Sequence, residues 1–260
     1  MAKAIVITGA SSGIGAALAA HLASQGHSLV LAARREAELR RVAEAAGALA
    51  VVADVTRRAD VERLRDAALA RLGHVDVWIN NAGRGIARNV LDLSDDDFDA
   101  MMAVNVKSAL YGMQAIVPHF QARGEGHLIN VSSFLGRVPL VPIRSAYNAA
   151  KAALNALSAN LRADLRATHP NVHVSVVMPG IVSTDFGRNA LGGSPGAWSG
   201  SGAAGAQTAQ EVAAVIASLI ENPAAEVYTN PASRDLVQRY YQDVGAFEEN
   251  ALRAQQGKKP

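Results

Sequence analysis

The stretch AYNAAK, residues 146–151, places a phenol, Tyr147, and an amine, Lys151, four residues apart. On an α-helix this spacing stacks the two side chains on one face, about one turn from each other, so that they can act as a unit. A phenol with its ordinary pKa near about 10 is a sluggish proton donor at neutral pH. An ammonium about 4 Å away contributes roughly 4 kcal/mol at an effective dielectric near 20, enough to lower the phenol by up to about three pH units. The pair therefore predicts a proton donor tuned by its neighbour, such as a carbonyl needs when negative charge builds on its oxygen.

A second group of residues suits phosphate. TGASSGIG, Thr8 to Gly15, follows the strand-like run AIVIT and opens a helix-like segment. Its glycines permit a tight turn and let the backbone approach a pyrophosphate seated on the helix N-terminus. The spacing departs from the common G-x-G-x-x-G pattern, and a turn that merely closes a βα connection is the other reading. After the next strand-like run, SLVLAA, come Arg34 and Arg35, with no acid at Ala33. An acid there would grip a ribose 2′-hydroxyl, whereas arginine accommodates a 2′-phosphate. One such charge-assisted hydrogen bond favours NADPH over NADH by about ten- to a hundredfold. The alternative is a pair of exposed arginines opening a helix.

The elements that position these groups alternate. Strand-like AIVIT, SLVLAA, ALAVVA, VDVWIN, HLINVSS and VHVSVVMP are separated by helix-like segments near 13–25, 35–46, 57–72, 95–120 and 146–168. Strands without polar alternation are buried on both faces, as in a parallel sheet between two helical layers. The expectation is α/β, doubly wound. Residues 187–206 are so rich in Gly and Ser that they predict a mobile loop, and residues 231–255 predict one more helix carrying Tyr240, Tyr241 and Phe247.

Composition narrows the function. The 260 residues are half hydrophobic, with a formal net charge of +2 and no cysteine. This fits one large α/β domain about as well as two small ones, of which one domain over 1–260 is the reading taken, and excludes disulfides and thiolate metal sites. The mixed charge gives no argument for nucleic-acid binding. No signal-peptide pattern and no membrane-spanning run is visible, so a soluble cytoplasmic protein is expected. The histidines have no ligand spacing, and the acids of SDDDFD read as a helix start capped by Ser94, so no metal is expected.

TGASSGIG, NNAG (Asn80 to Gly83), Ser132-Ser133, Tyr147 with Lys151, and PGIVST (Pro179 to Thr184) occur in this order. In them the chain resembles the short-chain dehydrogenase/reductase family in its compact single-domain form, over roughly residues 3–230. The resemblance implies a Rossmann-type, mostly parallel seven-stranded sheet with helices on both faces. It implies that Thr8, Gly9, Ser12, Gly13, Ile14 and Gly15 hold the cofactor's phosphates and ribose, that Asp54 and Val55 receive the adenine, and that Asn81, Ala82 and Gly83 line the cleft. Pro179, Gly180, Ile181, Val182 and Thr184 would lie beside the nicotinamide. Asn105, Ser133, Tyr147 and Lys151 match the catalytic tetrad, with Ser133 bonding the substrate oxygen, Lys151 also holding the ribose and Asn105 anchoring a proton-relay water. Ser133 and Tyr147 stand one residue further apart than is common in the family, an extension assigned to GRVPLVPIRS.

The activity so implied is an NADP(H)-dependent interconversion of a carbonyl and an alcohol, by a homodimer or homotetramer. Pocket walls are expected from Phe134, Leu135, Leu140, Val141, Ile143, Ile181, Phe186 and Trp198. They are mostly apolar, and no cation is aimed at them by the motifs, although Arg137, Arg144 and Arg188 lie nearby in sequence. An uncharged hydrophobic substrate is therefore expected. The rival readings are a protein that binds NADP without turnover and an enzyme using the same turn for another nucleotide-derived cofactor.

Overall fold

A computed structural model describes residues 1–193 and 205–256. The elements run β1 (Ala4–Thr8), α1 (Gly13–Ser24), β2 (Ser28–Ala33), α2 (Glu36–Ala45), β3 (Leu49–Val52), α3 (Arg58–Leu72), β4 (Val77–Asn80), α4 (Asp95–Met102), α5 (Ser108–Arg123), β5 (Gly126–Val131), α6 (Ser145–Arg166), β6 (Val172–Met178), β7 (Val182–Ser183), β8 (Gln207–Thr208), α7 (Ala209–Glu221), β9 (Glu226–Tyr228), α8 (Pro231–Gln242) and α9 (Val244–Gln256).

The apolar runs pair as their composition requires. Seven strands form one sheet in the order β3-β2-β1-β4-β5-β6-β9, and every pairing is parallel. Both faces are covered. Ile5, Ile7, Leu31 and Ile79 point to the layer of α1 and α7, while Val6, Val30, Trp78 and Leu128 point to that of α3, α5 and α6. The chain leaves β1 on one side to form β2 and β3 and returns on the other side as β4. Strand order therefore reverses between β1 and β4, and a doubly wound sheet opens a crevice at the strand ends there.

Three departures from the sequence reading have local causes. The long helical region is broken at Ala103–Lys107 by a π-helical turn carrying Asn105, whose amide Nδ2 donates to the carbonyls of Arg84 (2.9 Å) and Met101 (3.1 Å). Such turns inside helices recur at functional sites. The C-terminal helix is two helices, because Asp243 is extended and its carboxylate Oδ1 accepts from the Ala246 N–H. Leu140 is not a pocket wall. The Pro-containing loop after Gly136 turns outward, and Val138 and Leu140 pack under α8 against Val237, Tyr240 and Phe247.

The acids of SDDDFD do start α4, with the Ser94 hydroxyl accepting from the Asp97 N–H. At the opposite end of the sheet from the crevice, His127 is buried on β5 with its Nε2 2.8 Å from the Ser175 hydroxyl. Among the described residues no helix is long and apolar enough to cross a membrane.

Candidate active site

The crevice between the ends of β1 and β4 is a cleft of about 550 Å³. Its floor at one end is the glycine turn. Gly9 and Gly13 have positive φ (68° and 56°), which side chains rarely adopt. A Cβ on Gly9 would stand 2.8 Å from the Ala82 backbone, and one on Gly15 only 2.4 Å from the Gly9 carbonyl oxygen. The turn is thus pressed against both the NNAG segment and its own helix, leaving the backbone of Ser11 to Ile14 facing the cleft.

Thr8 and Gly15 shape this turn from behind and do not line the cleft. The Thr8 hydroxyl accepts from the N–H groups of Asn81 (3.1 Å) and Ala82 (3.2 Å), and the Asn81 amide donates to the Thr8 carbonyl (2.9 Å). Gly9, Ser12, Gly13, Ile14, Arg34, Arg35, Asp54, Val55, Asn81, Ala82 and Gly83 all border the cleft, joined by Ser11 and Ala53. Arg35 bends back over the turn, its Nη2 donating to the hydroxyls of Ser11 (3.1 Å) and Ser12 (2.6 Å) while Nη1 faces Glu38 at 3.6 Å. Arginine beside a glycine turn, with no acid at the end of β2, fits a phosphate-rich dinucleotide.

At the other end Ser133, Tyr147 and Lys151 border the same cleft with Pro179, Gly180, Ile181, Val182 and Thr184. Ser133 follows β5 and caps a short helical turn, its hydroxyl accepting from the Leu135 N–H at 3.2 Å. In the loop to α6, Val138 and Leu140 pack under the C-terminal helices while Leu135, Val141 and Arg144 border the cleft. Asn105 lies behind this wall. A Cβ on Gly83 would stand 2.9 Å from the Asn105 carbonyl oxygen and 3.5 Å from the Lys151 amine. Ser132 bonds the Lys151 carbonyl at 3.3 Å, as a strand-end hydrogen-bonder should.

The electrostatics of the pair differ from the expectation. The Lys151 amine donates to the Val131 carbonyl at 2.9 Å and sits 5.6 Å from the centre of the Tyr147 ring. Both groups are buried, and burial penalises the charged form of each. Burial pushes the phenol up to about 12, against the opposing pull of the Ser133 hydroxyl and the Arg144 guanidinium. The same burial brings the amine down to about 7. Within the chain alone, desolvation outweighs the tuning that the helix spacing suggests.

Of the residues expected as substrate walls, Phe134, Leu135, Val141, Ile181 and Phe186 border the cleft, with Phe186 edge-on to Tyr147 at 5.5 Å between ring centres. Leu140 and Ile143 are not among the cleft walls, and Trp198, like residues 194–204 of the expected loop, lies outside the described residues. Sequence reasoning missed Arg84, Val104, Asp185 and Asn189, which border the cleft, and had Arg144, which also borders it, only as a neighbour in sequence. Arg144 carried a signal, since it lies three residues before Tyr147 on the same helical start. Among the described residues no cluster of metal-ligating side chains is present.

A family model described as short chain dehydrogenase matches residues 3–192. An uncharacterized oxidoreductase of Staphylococcus epidermidis is 36% identical over 194 residues, which are 72% of this chain and 83% of that protein. Among solved structures, a short chain dehydrogenase/reductase from Burkholderia phymatum in complex with NAD superposes with a TM-score of 0.85 at 28% identity, covering 94% of this chain and 95% of that one. A short chain dehydrogenase from Burkholderia cenocepacia in complex with NADP gives 0.80 at 27%, covering 96% and 98%. This chain belongs to the short-chain dehydrogenase/reductase family of oxidoreductases.

Proposed function

We propose that the chain is an NADP(H)-dependent oxidoreductase that interconverts a ketone or aldehyde with its alcohol. One observation carries this reading: a single cleft has a glycine turn crossed by Arg35 at one end and Ser133, Tyr147 and Lys151 at the other. Bound nicotinamide nucleotide supplies or accepts the hydride. The backbone around Gly9 and Gly13 holds the pyrophosphate, and Arg35 with Arg34 holds the 2′-phosphate.

Ser133 donates to the substrate oxygen and steadies the charge that develops there. Tyr147 gives the proton to that oxygen in reduction and takes it back in oxidation. Its burial keeps the phenol neutral, which is the form reduction requires. Lys151, held by Val131, offers its amine to the nucleotide ribose and, when protonated, favours the phenolate left behind. Asn105 positions the Gly83–Arg84 backbone beside Lys151 and serves the passage of protons from it. The chain acts as one domain and, with others of its family, as a cytoplasmic homo-oligomer.

The test is NADPH consumption against a panel of ketones and aldehydes, with Tyr147→Phe as the paired control. Turnover by the wild type, and loss of most of it in a variant that still binds NADPH, supports the reading. NADPH binding with no turnover of any carbonyl compound favours a binding protein instead.

A further inference from the structure

Arg144 is a buried charged group bordering the cleft that the proposed reaction leaves unused. It is 8% exposed, borders the cleft, and lies on the same side as Tyr147, whose phenol it influences electrostatically. Its Nη1 donates to the Ile86 carbonyl at 3.0 Å. Among the described residues its guanidinium has no carboxylate partner, and residues 194–204 and 257–260 contain no acidic side chain. The acid nearest in kind, Asp185, also borders the cleft, but it faces Arg188 at 3.2 Å and is largely exposed.

A guanidinium taken out of water without a counter-charge is costly. Its surroundings do not repay that cost: a Cβ on Gly85 would stand 2.8 Å from the Arg144 Nη1 and 2.9 Å from the Phe186 ring, so the group is wedged between backbone and an aromatic edge. Arg144 also borders the cleft. A planar fork matches the two oxygens of a carboxylate.

We infer that Arg144 binds the carboxylate of the substrate, which makes the substrate a short oxo acid and its product the corresponding hydroxy acid. This rests on the carbonyl–alcohol reading above and replaces the uncharged substrate suggested by the apolar walls. The geometry restricts the length. Arg144, the N-cap of α6, stands three residues before Tyr147 and both border the cleft, so a short substrate suffices to reach from one to the other. Phe186 and Leu135 then cover the short apolar remainder. In the reaction the carbonyl carbon receives a hydride from the reduced nicotinamide, which is oxidised, and the oxygen receives the Tyr147 proton. The carboxylate is unchanged.

Two measurements test this separately from the reading on which it rests. In the first, butyrate and butyramide, equal in size and differing in charge, are titrated into wild type, Arg144→Gln and Arg144→Lys with NADP⁺ present, following the melting temperature. Butyrate is expected to stabilise the wild type and butyramide is not. Arg144→Gln should weaken butyrate by about ten- to a hundredfold, with partial recovery in Arg144→Lys. Equal responses to the two probes on the wild type, which needs no variant to fold, overturn the proposal, as does an unaltered butyrate affinity in Arg144→Gln.

In the second, short oxo acids are compared with their methyl esters as substrates, the acids being favoured in kcat/KM by about ten- to a hundredfold. Reduction of esters and acids alike removes the carboxylate site and leaves the reductase. Selective butyrate binding without reduction of any carbonyl compound removes the reductase and leaves the anion site.

Discussion

The amine of Lys151 gives its hydrogen bond to the Val131 carbonyl, 2.9 Å away, and stands 5.6 Å from the centre of the Tyr147 ring. The two side chains share a helix face, yet burial moves them in opposite directions, the phenol up to about 12 and the amine down to about 7. In nucleotide-free protein the phenolate of Tyr147 is therefore expected only toward the top of the alkaline range. An ultraviolet titration of wild type against Tyr147→Phe measures this difference. A phenolate that forms below about pH 9 in the absence of nucleotide would show Lys151 tuning Tyr147 unaided.

Lys151 should also weaken the fold. Its folded pKa is depressed from 10.5 to about 7, so the unfolded chain binds more protons between those values and stability rises with pH there. Below about pH 7 the whole penalty is present. Lys151→Met is expected to stabilise the fold most near pH 6, by several kcal/mol at about 1.4 kcal/mol per unit of pKa difference, and so to raise the melting temperature, with the gain shrinking toward pH 11. Melting curves of both proteins across this range check the sign and the trend.

His127 contributes with the same sign at lower pH. Buried beside His173 and bonded to Ser175, it has its pKa brought down from 6.5 to about 3. The unfolded state takes up a proton below about pH 6.5 that the folded state refuses, so stability is complete above that pH and falls as the solution is acidified toward 3. His127→Gln, which can keep a hydrogen bond to Ser175, should lose less stability than the wild type between pH 6.5 and 4. Parallel curves for the two proteins would exclude this source of acid sensitivity.

Arg35, rather than Arg34, reaches over the glycine turn to Ser11 and Ser12. Arg35→Ala should raise the KM for NADPH by about ten- to a hundredfold and leave that for NADH nearly unchanged. Arg34→Ala should have the smaller effect. Steady-state kinetics with both nucleotides distinguish the two arginines, and an unchanged NADPH/NADH ratio in Arg35→Ala would assign the 2′-phosphate elsewhere.

Much of the fold was legible because a parallel sheet leaves a simple trace. Runs such as AIVIT and SLVLAA have no polar alternation, and each is followed by a helical segment of the right length. The residues bordering the cleft were legible where one short segment supplies several of them, as in TGASSGIG and NNAG. Arg144 and Arg84 were harder to place, since their meaning depends on which way a loop turns after the helix or strand ends. Leu140 was misassigned for the same reason. An apolar residue in a loop can serve a pocket or a neighbouring helix, and nothing in VPLVPI distinguishes them before Val237 and Tyr240 are in place. The π-helical turn at Asn105 left no trace in the sequence because helix periodicity tolerates one inserted residue.

The C-terminal helices carry a consequence for how such an enzyme could be diversified. Val138 and Leu140 are clamped beneath Val237, Tyr240 and Phe247, and the Tyr241 hydroxyl donates to the Arg137 carbonyl at 3.0 Å. The loop between Ser133 and Tyr147, which supplies several walls of the cleft, is thus packed from outside by a segment beyond the 3–192 stretch matched by the family model. Grafting residues 231–256 from one relative to another offers a way to recast the pocket while the glycine turn, Tyr147 and Lys151 stay untouched.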